Sequence, residues 1–88
     1  MDIEYDPSKS QRNLNERGIA FDRAHDLDWS TAKIKEQLRD DQPEQRFIAV
    51  GKIDNRLHVL IFTLRGEKMR VISLRKANKR EVIDYDNF

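Results

Sequence analysis

The sequence predicts an α+β domain: an antiparallel sheet of about four strands with helices packed mainly on one face, in the order β-α-α-β-β-β-β-α. Three observations point there. Apolar and alternating stretches at 47–50, 57–64 and 69–74 are separated by turn signals at Asp54-Asn55 and Gly66. Helix-start signals stand at Asp6-Pro7 and at Asn78, with Glu81 three residues after the second. The chain of 88 residues has room for one domain, 1–88.

Ile3 and Tyr5 alternate with Asp2, Glu4 and Asp6, which reads as a short first strand. Asp6 is a good N-cap, Pro7 suits the first helical position, and Gly18 is placed to stop the helix. Between Ser8 and Arg17 the only aliphatic side chain is Leu14, so this helix is polar nearly all round. It is solvated or lies under a partner, and it carries Lys9, Arg12, Asn13 and Arg17. A second short helix is expected from Phe21 to Asp28, with Phe21 and Ala24 at helical spacing. Ala32 and Ile34 alternate with Lys33 and Lys35, as in an edge strand that lysines blunt. Arg39–Gln45, which contains Pro43, reads as a loop.

Phe47–Val50 is the next strand, followed by a two-residue Asp54-Asn55 turn. Leu57–Leu64 is a nearly continuous apolar run, typical of a central strand, and Met69–Leu74 is the last one. Asn78 and Glu81 resemble a capping box for a final helix. Alternation with a three-residue loop at 65–67 places Phe47, Ala49, Leu60, Phe62, Leu64, Ile72 and Leu74 on one face for the helices to cover. The other face shows Thr63, Ser73 and Arg75 among Val59, Ile61 and Val71, with Arg46 and Lys52 nearby. His58 shares parity with the apolar face and reads as packed. His25 reads as a surface residue, and Tyr5, Trp29 and Tyr85 as core aromatics.

Composition narrows the chemistry. No apolar run is long enough to span a membrane, and the acidic start Met1–Glu4 is not that of a signal peptide, so the default compartment is the cytoplasm. With no Cys and two His, thiol catalysis and His-rich metal sites are excluded, and no cofactor is implied. Net charge is +1, but residues 46–80 hold ten Lys/Arg against Asp54 and Glu67, a local +8. Such a block on strands suits a polyanion. Cleaving RNA needs the 2′-OH aligned with the phosphate, stabilisation of the extra transition-state charge, and proton movement. Arginine serves the second need. The candidates are Arg46, Arg65, Arg70 and Arg75, with Lys76.

The chain also resembles a known family. The residues that carry the likeness are Tyr5-Asp6-Pro7-x-Lys9, Asn13-Leu14-x-x-x-Gly18-Ile19-x-Phe21, Arg46-Phe47-Ile48-Ala49-x-Gly51, Phe62-Thr63-x-Arg65, and Arg70-x-Ile72-Ser73-x-Arg75-Lys76-Ala77-Asn78-x-Arg80-Glu81 with Tyr85. Together they are similar to the BrnT ribonuclease toxins of type II toxin–antitoxin systems. The resemblance implies a RelE-like fold, metal-independent RNA cleavage that halts translation, and a BrnA-like antitoxin that covers the toxin and binds the operon's DNA. It places Arg65, Ser73, Arg75 and Lys76 on the family's basic sheet motifs; with Arg46 these are the expected catalytic residues, and Lys9, Arg17, Thr63, Arg70 and Arg80 the expected RNA-binding ones. DNA is reached only through the antitoxin, and no membrane is involved. Glu16-Arg17-Gly18 stands where the family usually has Lys-His-Gly, and Ala20 stands where it has a Ser or Thr. A non-catalytic basic module, or an inactive toxin fold docking an acidic partner or nucleic acid, is the alternative.

Overall fold

The computed structural model describes residues 2–38, 41 and 43–87. Arg39, Asp40 and Gln42, part of the expected loop, lie outside the described residues. The elements run β1 (Asp2–Glu4), α1 (Pro7–Arg17), a 3-10 helix (Phe21–Asp26), β2 (Lys33–Gln37), β3 (Arg46–Ile53), β4 (Arg56–Arg65), β5 (Lys68–Lys76) and α2 (Lys79–Asp86).

The strands form one sheet in the order β1-β5-β4-β3-β2, five rather than about four. The fifth is the short first strand expected at Ile3, which joins the sheet as β1, parallel to β5, with Ile3 opposite Met69. The other pairings are antiparallel. The apolar run of β4 lies at the centre, covered on both faces.

α1 starts and stops as its residues dictate. The Asp6 carboxylate accepts the Ser8 N–H at 2.8 Å, and Gly18 adopts φ 75° at the C-terminal end. Its anchorage is polar. Ser10 Oγ accepts the Phe21 N–H at 2.9 Å, and Asn13 Nδ2 donates to the carbonyls of Ile19 and Leu74, each at 2.8 Å. These bonds substitute for an apolar stripe, and Leu14 stays exposed. The second helical segment is a 3-10 helix, not an α-helix. Phe21, Ala24 and Leu27 are buried, and a spacing of three aligns on one side of a three-residue turn. Ala20 offers it no side-chain cap.

The Asp54-Asn55 turn has φ 51° and 63°, as a type I′ hairpin requires, and pairs Phe47 with Phe62 and Ala49 with Leu60. The β4–β5 hairpin departs from expectation. Its turn is the two residues Gly66-Glu67, with Gly66 at φ 62°, so Leu64 opposes Met69 and Phe62 opposes Val71. A one-residue change in turn length inverts side-chain parity. An irregularity beside Ile61 and Phe62 then absorbs one residue, so Ile61 opposes Ser73 and Leu60 opposes Leu74. Met69 and Val71 therefore enter the core. Ile72 and Leu64, assigned to it from sequence, do not: Ile72 is half-buried and Leu64 is exposed.

The main core joins Ile19, Phe21, Ala24 and Leu27 to Ala49, Ile53, Leu60, Phe62, Met69, Val71 and Leu74. Gly51 lets this layer approach: a Cβ there would lie 3.1 Å from Ala32 Cβ and 3.2 Å from the Leu27 side chain. A second cluster forms on the opposite face, where Val82 and Tyr85 of α2 pack with Leu57, Val59, Ala77, Ile48 and Val50. Helices therefore cover both faces, which corrects the one-sided expectation. α2 takes the far face because it follows Ala77 directly and carries its apolar residues there.

Candidate active site

Register and alternation place the sequence candidates. Arg46, Thr63 and Arg70 stand side by side on β3, β4 and β5. Ser73 follows in the row of Ile48 and Ile61, and Arg75 in the row of Val50 and Val59. Rows on one face are about 7 Å apart along the strands. Arg65, two residues beyond Thr63, lies at the same end. These six share the face that carries α2. Lys76 does not: it opposes His58 and alternates onto the α1 face. Lys9 and Arg17 are exposed on α1, and Arg80 is exposed on α2.

Part of the basic block is compensated. Arg65 pairs with Glu44 at 3.5 Å, and Arg70 with Glu4 at 3.7 Å. Arg75 meets Glu81 through two bonds, Nη1 to Oε1 at 2.7 Å and Nη2 to Oε2 at 2.8 Å. The acids come from β1, the β2–β3 connection and α2, so the local +8 of residues 46–80 overstates the charge of this face. Arg46 has no acidic partner among the described residues. Its Nε is buried without a hydrogen-bond partner, as is the Oε1 of Gln37, its neighbour on β2. Thr63 is committed to structure, donating from Oγ1 to the Gln45 carbonyl at 2.6 Å. The half-buried Ser73 hydroxyl has no protein partner among the described residues.

Between β2 and α2 the face forms an open groove of about 350 Å3. Its floor is Ile48, Val50, Val59 and Ile61, and its walls carry Lys33, Lys35, Arg75, Glu81 and Tyr85. Lys33 Nζ donates to the Tyr85 carbonyl and sits 4.3 Å above the Tyr85 ring. Tyr85 donates its hydroxyl to the Thr31 carbonyl at 2.8 Å. Hydrogen bonding from Arg75 holds the Glu81 carboxyl below its ordinary value, with smaller help from the Asn78 N–H and the Lys35 charge. The same bond keeps the Arg75 guanidinium firmly charged.

Sequence reasoning missed Lys33, Lys35 and Glu81 as site residues. The lysines read as edge-strand protection and Glu81 as a helix cap. The available signal was the strand-to-helix corner at Ala77-Asn78, which folds residue 81 back beside residue 75. His58, buried and bonded through Nδ1 to the Arg56 carbonyl at 2.7 Å, has a lowered pKa, chiefly from burial. It lies on the α1 face, away from the groove. A second concavity of about 590 Å3 opens on that face over Phe47, Phe62, Leu64 and Met69; among the described residues His25 is the one ionisable group of its lining. Among the described residues no three of His, Asp and Glu converge as metal ligands, and no helix is long and apolar enough to cross a membrane.

A small α+β sheet domain with an arginine and a carboxylate lining one groove, and a serine hydroxyl and further arginines on the same sheet face, has the groups that RNA-cleaving proteins use. Comparison with known families places the chain in such a class: residues 5–81 match the sequence model of a ribonuclease toxin of type II toxin–antitoxin systems. That family is BrnT, and the chain belongs to it. No curated protein matches the chain.

Proposed function

We propose that the chain is an endoribonuclease that cleaves RNA without a metal ion at the groove between β2 and α2, and so halts translation. The toxin class implies a protein antitoxin as partner. We take that partner to be BrnA-like, with contact to DNA only through it, and the arrangement of sheet and helices to be RelE-like. The observation that carries the reading is that Arg75, Ser73, Lys35 and Arg46 share one sheet face in three successive rows, with Arg75 and Lys35 lining the groove. Arg75 offers the planar fork that suits a phosphate gaining charge in the transition state. The Ser73 hydroxyl is free to donate to a phosphate oxygen. Arg46 and Lys35 would position the strand, and Thr63 would hold the connection from which Arg46 springs.

The test is gel analysis of a mixed-sequence RNA incubated with the purified protein in EDTA, beside Arg75→Ala checked by circular dichroism. Cleavage by the unaltered chain and its loss in the folded variant is the expected result. Intact RNA with both would sink the ribonuclease reading. The internal pairing of Arg65, Arg70 and Arg75 favours the alternative in that case, a toxin fold that binds without cutting.

A further inference from the structure

RNA cleavage at this face calls for a group that removes the 2′-OH proton, and arginine and lysine are poor at it near neutral pH. We propose that Glu81 is that general base, an inference that rests on the ribonuclease reading above. Three observations carry it.

First, position. Glu81 lines the groove and is bonded to the arginine proposed to receive the phosphate. Other carboxylates on this side are poorly placed: Glu44 and Glu4 are tied to Arg65 and Arg70, and Asp84 lies one turn further along α2, 3.7 Å from Arg80.

Second, rigidity. Oε1 also accepts the Asn78 N–H at 2.9 Å while the Asn78 side chain caps the Glu81 N–H, so the carboxylate is fixed by the helix start itself. A base held this way needs little reorganisation when the substrate arrives.

Third, exchange of partners. Two of the three Arg75 hydrogen bonds end on Glu81 and the third, at 3.3 Å, on the Lys76 carbonyl, so a phosphate entering the groove competes with Glu81 for the fork. As Arg75 turns to the phosphate, Glu81 loses its main stabilising partner and becomes a stronger base. The groups facing it are Arg75 from β5, Lys33 and Lys35 from β2, and Asp84 and Tyr85 from α2; β3 and β4 contribute apolar side chains. In the step itself Glu81 takes the 2′-OH proton, the 2′-oxygen bonds to phosphorus, and the bond from phosphorus to the 5′-oxygen breaks. The departing oxygen takes a proton from solvent and Glu81 later returns its own. The products are a 2′,3′-cyclic phosphate and a 5′-hydroxyl.

Steady-state cleavage of a short RNA by the full chain, followed across pH, tests this. Glu81→Gln keeps the side-chain acceptor for the Asn78 N–H and is expected to fold. Its kcat should fall by about 10²–10⁴-fold, the usual worth of a general base, with KM no higher, because the weaker pair leaves Arg75 freer for the phosphate, and the acid limb of the profile abolished. In the unaltered chain the acid limb of kcat, which reports the complex, should lie at higher pH than that of kcat/KM, which reports the free protein. Glu81→Asp, retaining a carboxylate one methylene shorter, should recover part of the rate and the limb; it also serves if circular dichroism shows Glu81→Gln misfolded. Undiminished kcat with an unchanged profile in a folded Glu81→Gln overturns the role of Glu81 alone. No cleavage by the unaltered chain overturns the ribonuclease reading and this role with it.

Discussion

Arg75 and Glu81 meet through two parallel hydrogen bonds of 2.7 and 2.8 Å, joining the end of β5 to the first turn of α2. The same carboxylate closes the α2 capping box with Asn78. One side chain thus determines where α2 starts, how it lies on the sheet and which way the Arg75 fork points. α2 has no fully buried residue, so these polar contacts carry much of its attachment.

Losing that attachment should cost measurable stability. Asn78→Ala removes the side-chain half of the box, worth about 1 kcal/mol. In a domain of this size that lowers Tm by roughly 4–8 °C. Glu81→Ala removes both the reciprocal bond and the fork and should lower Tm further than Asn78→Ala. Glu81→Gln should lie between Glu81→Ala and the unaltered protein. Differential scanning calorimetry on the three variants checks the order, and an unchanged Tm in Glu81→Ala would show α2 to be held by Val82 and Tyr85 alone.

The fork was only half legible in the sequence. Asn78-x-x-Glu81 announced the helix cap because capping depends on neighbours along the chain. The meeting with Arg75 depends on the corner at Ala77, which periodicity does not describe. The β4–β5 hairpin shows the same division. Gly66 marked the turn, but a two-residue turn and a three-residue loop leave the same glycine in place. Only the packing of Met69 and Val71 chooses between them, and the irregularity at Ile72 then conceals the choice from Leu74 onward. The charge count missed some partners for a related reason: the acids that pair with Arg65 and Arg70 lie 21 and 66 residues away in sequence.

Acid should weaken the fold in two windows. The Glu81 carboxyl is held below its ordinary 4.5 by Arg75, so its contribution is present above that pH and is lost as pH falls through the lower folded value. His58 is held below 6.5 by burial, so it stays neutral in the fold, and its contribution is present above 6.5 and lost as pH falls through its own folded value. Tm measured against pH should therefore decline first below about 6.5 and again below about 4.5. His58→Gln should remove the first decline and leave the second. Arg75→Met should make the second shallower and leave the first, because Asp28, held low by the Ser30 and Thr31 hydroxyls, keeps its own share of the acid loss.

Neutralising the compensating acids should strengthen the hold on RNA. Glu4→Gln and Glu44→Gln release Arg70 and Arg65 from pairs that are long and partly exposed. Such pairs are worth about 0.2–1 kcal/mol, so little fold stability is at stake. Each freed arginine can take a phosphate instead, steepening the salt dependence by about 0.7 in the logarithmic slope for a single strand. Fluorescence anisotropy with a short single-stranded RNA over a salt series measures this. A slope unchanged in the double variant would mean that RNA does not run along the Arg46–Thr63–Arg70 row.

Lys76 and Arg75 are adjacent in sequence and opposite in space, which separates two accounts of the basic motif. Arg75 faces the groove and Glu81, whereas Lys76 is exposed beside His58 on the α1 face. Were the motif a continuous basic surface wrapped by RNA, either substitution would weaken cleavage alike, because phosphate attraction is graded with distance and blind to orientation. If cleavage is confined to the α2 face, Lys76→Ala should keep kcat/KM within about twofold of the unaltered protein while Arg75→Ala loses a hundredfold or more, the scale on which a charge-stabilising group in the transition state is worth about 3–4 kcal/mol. Parallel kinetics on the two variants decide it. Equal losses would move the reaction to the edge of the sheet, where both side chains can reach one phosphate.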